Sequence, residues 1–188
     1  MSATRLLVLG VVRGYGRAHG YLIGNDLMSW GAESWANVKW GSIYHALKHG
    51  VKTGFLYEDF SAGRTDYELT EKGEYEFQRL LADALRKPEA DMLAAGLALL
   101  PALTRAQALA ALEIRLSAQE AIRAEAEEKF AGWQEPPHVR ELYRLRAVTA
   151  AGDVAWTSGL IERLRAGEYA MAGEAGSPGK AGSWPSPA

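Results

Sequence analysis

At 188 residues the chain suits one ordinary domain, or two small units sharing a core, and is too short for most two-domain enzymes. Its 21 basic and 23 acidic residues leave a formal charge of −2, a balance that taken alone argues against a nucleic-acid partner. A content of 48% hydrophobic residues, six of them Trp, permits a buried core, and the lack of Cys excludes disulfides, thiolate metal sites and Cys nucleophiles, which fits a reducing cytoplasm.

The first apolar run, Leu6 to Val12, is far shorter than the stretch of about 20 residues that spans a bilayer. It has neither the basic start nor the small-residue cleavage pattern of a signal peptide, so no membrane anchor is expected. The segment Arg5 to Arg13 carries no decisive period and is compatible with strand or helix. A helix is expected over Ala18 to Trp30, ended by Gly31, and a polar loop with Glu33, Ser34 and Asn37 follows. From Trp40 to Val51, the residues Ile43, Tyr44, Leu47 and Val51 make one helical stripe, and Gly54 stops it. Phe55 to Phe60 and Thr65 to Leu69 are short β-prone runs around Ser61-Ala62-Gly63-Arg64, the pattern of a hairpin. Thr70 is placed to cap the next helix, with Glu71 and Glu74 in its first turn.

Beyond about residue 83 the composition shifts to Ala, Leu, Glu and Arg, and the reading is all helix. One helix is expected over Pro88 to Leu100. A second opens at the capping-box pattern Thr104-Arg105-Ala106-Gln107 and runs to about Phe130. A third starts at Pro136-Pro137, with Val139, Leu142, Leu145, Val148, Ala155 and Leu160 expected along one broad side. Residues 172–188 are built from small residues, Gly and Pro, and are expected to be a disordered tail.

Charge placement changes the first impression. Between Ser34 and Tyr57 there is no Asp or Glu, while Lys39, His45, Lys48, His49 and Lys52 all fall there. The helix from Trp40 carries Ser42, His45, Lys48, His49 and Lys52 away from its apolar stripe, and Arg64 sits at the hairpin tip. A short exposed helix beside a hairpin is a geometry that enters the DNA major groove and lays a basic tip along the phosphates.

Four motifs, in order, closely resemble those of the PadR family, named for the phenolic acid decarboxylase regulator. They are Leu7-Val8-Leu9-Gly10, His19-Gly20-Tyr21, Gly41-Ser42-Ile43-Tyr44-His45-Ala46-Leu47 and Tyr67-Glu68-Leu69-Thr70-Glu71-Lys72-Gly73. The resemblance covers roughly the first 75 residues by motif and the helical remainder by pattern. It implies a mainly α fold with a small β-hairpin wing: a winged helix-turn-helix DNA-binding domain over 1–85, then a helical dimerisation and effector region over 86–171. It further implies a homodimer on a two-fold-related double-stranded operator, acting as a repressor released by a small aromatic or apolar effector. The chain departs from the family after the third motif, where Gly50 interrupts the helix at a cost of about 1 kcal/mol relative to Ala.

On this reading Lys39, Ser42, Tyr44, His45, Lys48, His49, Lys52 and Arg64 are the candidate DNA contacts, with Tyr44 equally compatible with a ring anchored in the core. His19 and Tyr21 are expected to pack and cap the second helix. Trp133 and Trp156 are candidates for lining an effector pocket. His45 and His49 have the i, i+4 spacing of metal ligands, but no acidic or Cys ligand accompanies them and no metal site is expected. Gly14, Gly16 and Gly20 depart by one residue from a dinucleotide fingerprint. No carboxylate pair or nucleophile–base pair emerges, so neither an enzyme nor a cofactor is expected. The alternative is a winged-helix adaptor that binds protein instead of DNA.

Overall fold

The computed structural model describes residues 2–61, 63–87, 90–133 and 136–185. Ala62, Pro88 and the last three residues, which entered the hairpin, helix and tail expectations, lie outside the described residues.

Helix α1 (Ala3–Tyr15) forms the centre of the amino-terminal half. Leu6, Leu7, Val8, Leu9, Val11 and Val12 are all essentially buried, so the helix is covered on every side. That is why its sequence has no amphipathic period. Strand β1 (Ala18–His19) follows at once and leads into α2 (Gly20–Ser29). The expected helix start at Ala18 therefore moves two residues on. The His19 imidazole accepts the Leu22 N–H at 3.1 Å, capping α2 as anticipated. The polar loop contains a short helix, α3 (Ala32–Ala36), that the sequence did not suggest. It leads to α4 (Trp40–Thr53), which sets Ile43 and Leu47 into the core.

Gly50 does not break α4. A Cβ there would lie 2.7 Å from Leu56 Cδ1, so the missing side chain lets the following strand cross the helix closely. The Gly50 carbonyl in turn accepts the Phe55 N–H at 2.8 Å. Strands β2 (Leu56–Ser61) and β3 (Arg64–Leu69) pair antiparallel, with Ser61 opposite Arg64. Strand β1 adds to the other edge of β3, Ala18 opposite Tyr67 and His19 opposite Asp66, giving the order β1-β3-β2.

Thr70 caps α5 (Glu71–Arg86) by accepting the Gly73 N–H at 3.0 Å. Phe77, Leu80, Leu81 and Leu85 of α5 are buried, and the helix packs on α1. Helix α6 (Ala90–Ala98) and a 3-10 turn over Leu100–Ala102 lead to α7 (Arg105–Gly132), which opens with the expected Thr104–Gln107 capping box and packs on α5. Helix α8 (Pro137–Arg165) returns along α7. Across their contact Thr157 and Gln119 are buried and joined by a 2.7 Å hydrogen bond, while the buried Arg115 of α7 reaches the Lys87 carbonyl at the end of α5.

Two expectations are corrected. The apolar residues of α8 do not share one side. Val154, Leu160, Ile161 and Leu164 face α7, whereas Leu142, Leu145 and Val148 are exposed, because small residues let the same helix carry a second apolar stripe. The carboxy-terminal segment is not a loose tail over 172–185. It leaves α8, buries Met171, pairs the Ala172 N–H with the Leu103 carbonyl at 3.0 Å and ends with Trp184 against α1. Composition missed this because the ordering entropy is offset by two large apolar anchors and by carbonyls at the end of α1 that accept from the segment. The Arg13 and Gly14 carbonyls accept the Gly182 and Trp184 N–H groups at 2.9 and 3.0 Å.

Candidate nucleic-acid interface

The surface that α4 presents follows from its wheel. With Ile43, Leu47 and Gly50 inward, Gly41, His45, Lys48 and Lys52 point outward and are exposed. No acidic residue lies on this helix. Lys39 precedes it, exposed, as the N-cap residue. Ser42 is turned to local use: its Oγ accepts the Lys39 N–H at 3.0 Å and donates to the Lys39 carbonyl at 2.7 Å, closing the first turn. His49 is half-buried on the flank that faces α1.

On the opposite flank lies a feature the sequence reading did not assemble. His19, Tyr21, Trp40 and Tyr44 form a continuous stack, with successive ring centroids 6.4, 5.8 and 6.5 Å apart and interplanar angles of 10, 23 and 26°. Tyr21 is 62% exposed and Tyr44 43%, so Tyr44 is not anchored in the core and Tyr21 does not pack inward. The signal available in the sequence was the recurrence of aromatics at the starts of α2 and α4.

Arg64 sits beside the hairpin turn as expected, but it is not a free cation. Its Nε lies 3.2 Å from Asp66 Oδ1, and Asp66 is buried. Arg17 reaches the same carboxylate at 3.1 Å and also contacts Asp59 and Glu68. With Glu58, the hairpin carries four carboxylates against these two guanidiniums. The hydrogen bonds that Arg17 donates to Asp59 and Asp66 hold its guanidinium more firmly protonated than usual. The positive surface is therefore concentrated on α4 and not on the hairpin.

Trp133 closes α7 and packs beside Tyr143 at 5.5 Å, 37% exposed, and Trp156 is 39% exposed on α8. Neither lines the small apolar cavity, about 70 Å³, that lies between α1, the end of α6 and the carboxy-terminal segment. Its walls include Gly10, Arg13, Phe77, Leu99 and Trp184. Among the described residues no group of three or more potential ligands is placed to hold a metal. No helix among them is long and apolar enough to cross a membrane.

Four helices, the last of them the exposed α4, followed by a hairpin whose sheet is completed by β1, define a winged helix-turn-helix with a long helical pair appended. Among solved structures, the chain is similar to PadR from Bacillus subtilis in complex with operator DNA, at 20% identity over 85% of this chain and 98% of the other, TM-score 0.38. It is also similar to the same protein in complex with p-coumaric acid, at 20% identity over 87% and 99%, TM-score 0.38. A PadR-like transcriptional regulator from Bacillus cereus matches at 18% identity over 87% and 99%, TM-score 0.37. No protein-family model and no curated protein matches the chain.

Proposed function

We propose that this chain is a PadR-type transcription regulator that binds double-stranded DNA through α4. The observation that carries this reading is the outward face of α4, where His45, Lys48 and Lys52 stand exposed on a helix without a single carboxylate, in a molecule that is otherwise acidic. A helix of this diameter fits the major groove, roughly 12 Å wide, and base edges lie within reach of such side chains. The four motif segments support the family assignment independently: each lies on the element that the resemblance assigns it, in α1, at the start of α2, in α4 and across the β3–α5 junction.

The second apolar stripe of α8 supports a homodimer. Leu142, Leu145, Val148, Gly152 and Trp156 recur at three- and four-residue steps along a solvent-facing side. An apolar stripe of this length on a monomer is a mark of association, and the small Gly152 allows close approach of a second helix. In this arrangement residues 1–85 form the DNA-binding head and 86–171 hold the two copies together. The Trp156 ring belongs to the same stripe, so an aromatic or apolar effector that stacks on it binds between copies and alters the spacing of the two heads. Repression relieved by that effector is the regulatory part of the proposal.

The test is selection of a duplex from a randomised pool, followed by titration across salt concentrations. A linear fall of log affinity with log salt is expected, and its absence would overturn the reading. Tyr57 and Phe60, 60% and 73% exposed on an acidic hairpin, favour the second reading, a wing that binds protein. Such a wing shows no salt slope on DNA.

A further inference from the structure

Residues 166–185 form neither helix nor strand, yet they run from the end of α8 past the start of α7 to the end of α1. The first anchor is Arg105, the opening residue of α7. It donates to the Glu174 carboxylate at 2.6 Å, to the Tyr169 carbonyl at 2.9 Å and to the Leu164 carbonyl. Met171 is fully buried, and the Ala172 N–H meets the Leu103 carbonyl at 3.0 Å. The second anchor is α1. Arg13 Nη1 donates to the Gly179 carbonyl at 2.6 Å, and the Arg13 and Gly14 carbonyls accept the Gly182 and Trp184 N–H groups. Between the anchors, a Cβ on Gly179 would lie 1.7 Å from the Pro101 carbonyl oxygen. Lacking one, Gly179 fits between α1 and the 3-10 turn that precedes α7.

The anchors lie on parts with different tasks. Helix α1 packs against α4 and sits at the centre of the head, whereas α7 and α8 form the pair whose outward stripe supports the dimer. The chain itself joins these parts through α5 and α6, so the carboxy-terminal segment is a second, separate tie. It is held chiefly at its ends. Its middle roofs the cavity of about 70 Å³ whose walls include Gly10, Phe77, Leu99 and Trp184, so the packing beneath it is incomplete. A segment without secondary structure, ordered by a few fixed points, opens at lower free energy than a core helix.

We propose that residues 166–185 are a strap that fixes the angle between the head that bears α4 and the α7–α8 pair. Its consequence for DNA rests on the DNA-binding and dimer readings above. With both straps closed, the two α4 helices of a dimer are held at one separation, and engagement of both half-sites is preorganised. With the straps released, each head still reads its own half-site. The dimer then loses affinity for the correctly spaced pair and tolerates other spacings.

The experiment uses the full-length protein, a duplex it selects from a randomised pool, an isolated half-site, and versions with the half-sites moved stepwise closer or apart. Trp184→Ala frees the anchor on α1 and Arg105→Gln the anchor on α7. Both are expected to lose about tenfold in affinity for the selected duplex, to keep the half-site affinity, and to lose less on respacing. Arg105 lies outside the head, so Arg105→Gln decides the matter where Trp184→Ala also destabilises α1. A half-site loss as large as the loss on the whole duplex, or an unchanged spacing preference, overturns the strap. A second measurement needs no DNA. The chain has no Cys, so spin labels can be placed only at Glu58→Cys and Glu120→Cys, both exposed, in chains diluted into unlabelled protein. One narrow distance is expected, and a broad distribution in either anchor variant; equal widths overturn the strap. Absence of salt-dependent binding by the unsubstituted protein overturns the DNA-binding reading, and the distances then judge the strap alone.

Discussion

The Trp184 ring lies directly over Gly14, so near that a Cβ at position 14 would come within 2.4 Å of it. Tyr15 and Trp30 meet the same ring edge-on, with centroids 5.5 and 5.7 Å away. The contact makes α1 the seat of the carboxy-terminal segment. Gly14→Ala is expected to evict Trp184 and destabilise the protein by about 1–3 kcal/mol. In a Trp184→Ala background the same change becomes neutral or stabilising, since Ala exceeds Gly in helix propensity by about 1 kcal/mol. Urea denaturation of the four proteins measures this coupling, and additive effects would refute the packing account.

Lys48 and Arg64 are both basic, yet their surroundings differ. Lys48 is exposed on α4, whereas Arg64 is held by the buried Asp66. Lys39→Ala and Lys48→Ala are each expected to reduce the salt slope of duplex binding by about 1, without altering self-association. Arg64→Ala is expected to change it less, because the guanidinium is already neutralised. Fluorescence anisotropy over a salt series separates the two cases, and equal slopes for Lys48→Ala and Arg64→Ala would contradict this ranking.

Leu145 is 64% exposed on α8 and Leu160 is buried against α7. Leu145→Glu should leave the folding of a single chain within about 0.5 kcal/mol of the original while weakening self-association by at least tenfold. Leu160→Glu should instead impair folding itself. Sedimentation equilibrium alongside thermal melts distinguishes the two, and an unaltered dimer in Leu145→Glu would remove this stripe from the interface.

Arg105 clamps the carboxy-terminal segment through Glu174, whose carboxylate also accepts the Met171 N–H at 2.9 Å. The Arg105 hydrogen bond, then that backbone bond, hold the Glu174 carboxyl below its ordinary range. A lowered folded pKa stabilises the folded state above the unfolded value, about 4.3, and the contribution is lost as pH falls through the lowered folded value. The clamp should therefore loosen in acid and hold at neutral pH. The indole N–H resonance of Trp184 reports it, and Glu174→Gln should abolish this acid-dependent step.

Much of the head was readable because its signals are local. Thr70, Gly54 and the Thr104–Gln107 pair act within a few residues of themselves, and the structure uses them as caps and stops. The β-prone runs that mark β2 and β3 are equally short in range. What escaped notice depends on distant partners. The period of α1 is erased because every side is covered, and β1 exists only because Tyr67 and Asp66 lie opposite it. Gly50 reads as a flaw until Leu56 is placed over it. Of the candidate site, the outward cations of α4 were visible from the wheel alone. The neutralisation of Arg64, the local commitment of Ser42 and the aromatic stack required the fold to bring residues from separate elements together.

Strand β1 is two residues long, yet it belongs to both halves of the head at once. The His19 backbone pairs with the wing strand while its ring caps α2. The wing is thus tied directly to the helix on which α4 rests. Hairpin and α4 travel together as one jaw. In the proposed dimer, the gap between two such jaws, set from a distance by α7 and α8, is then the geometric quantity that regulation would adjust.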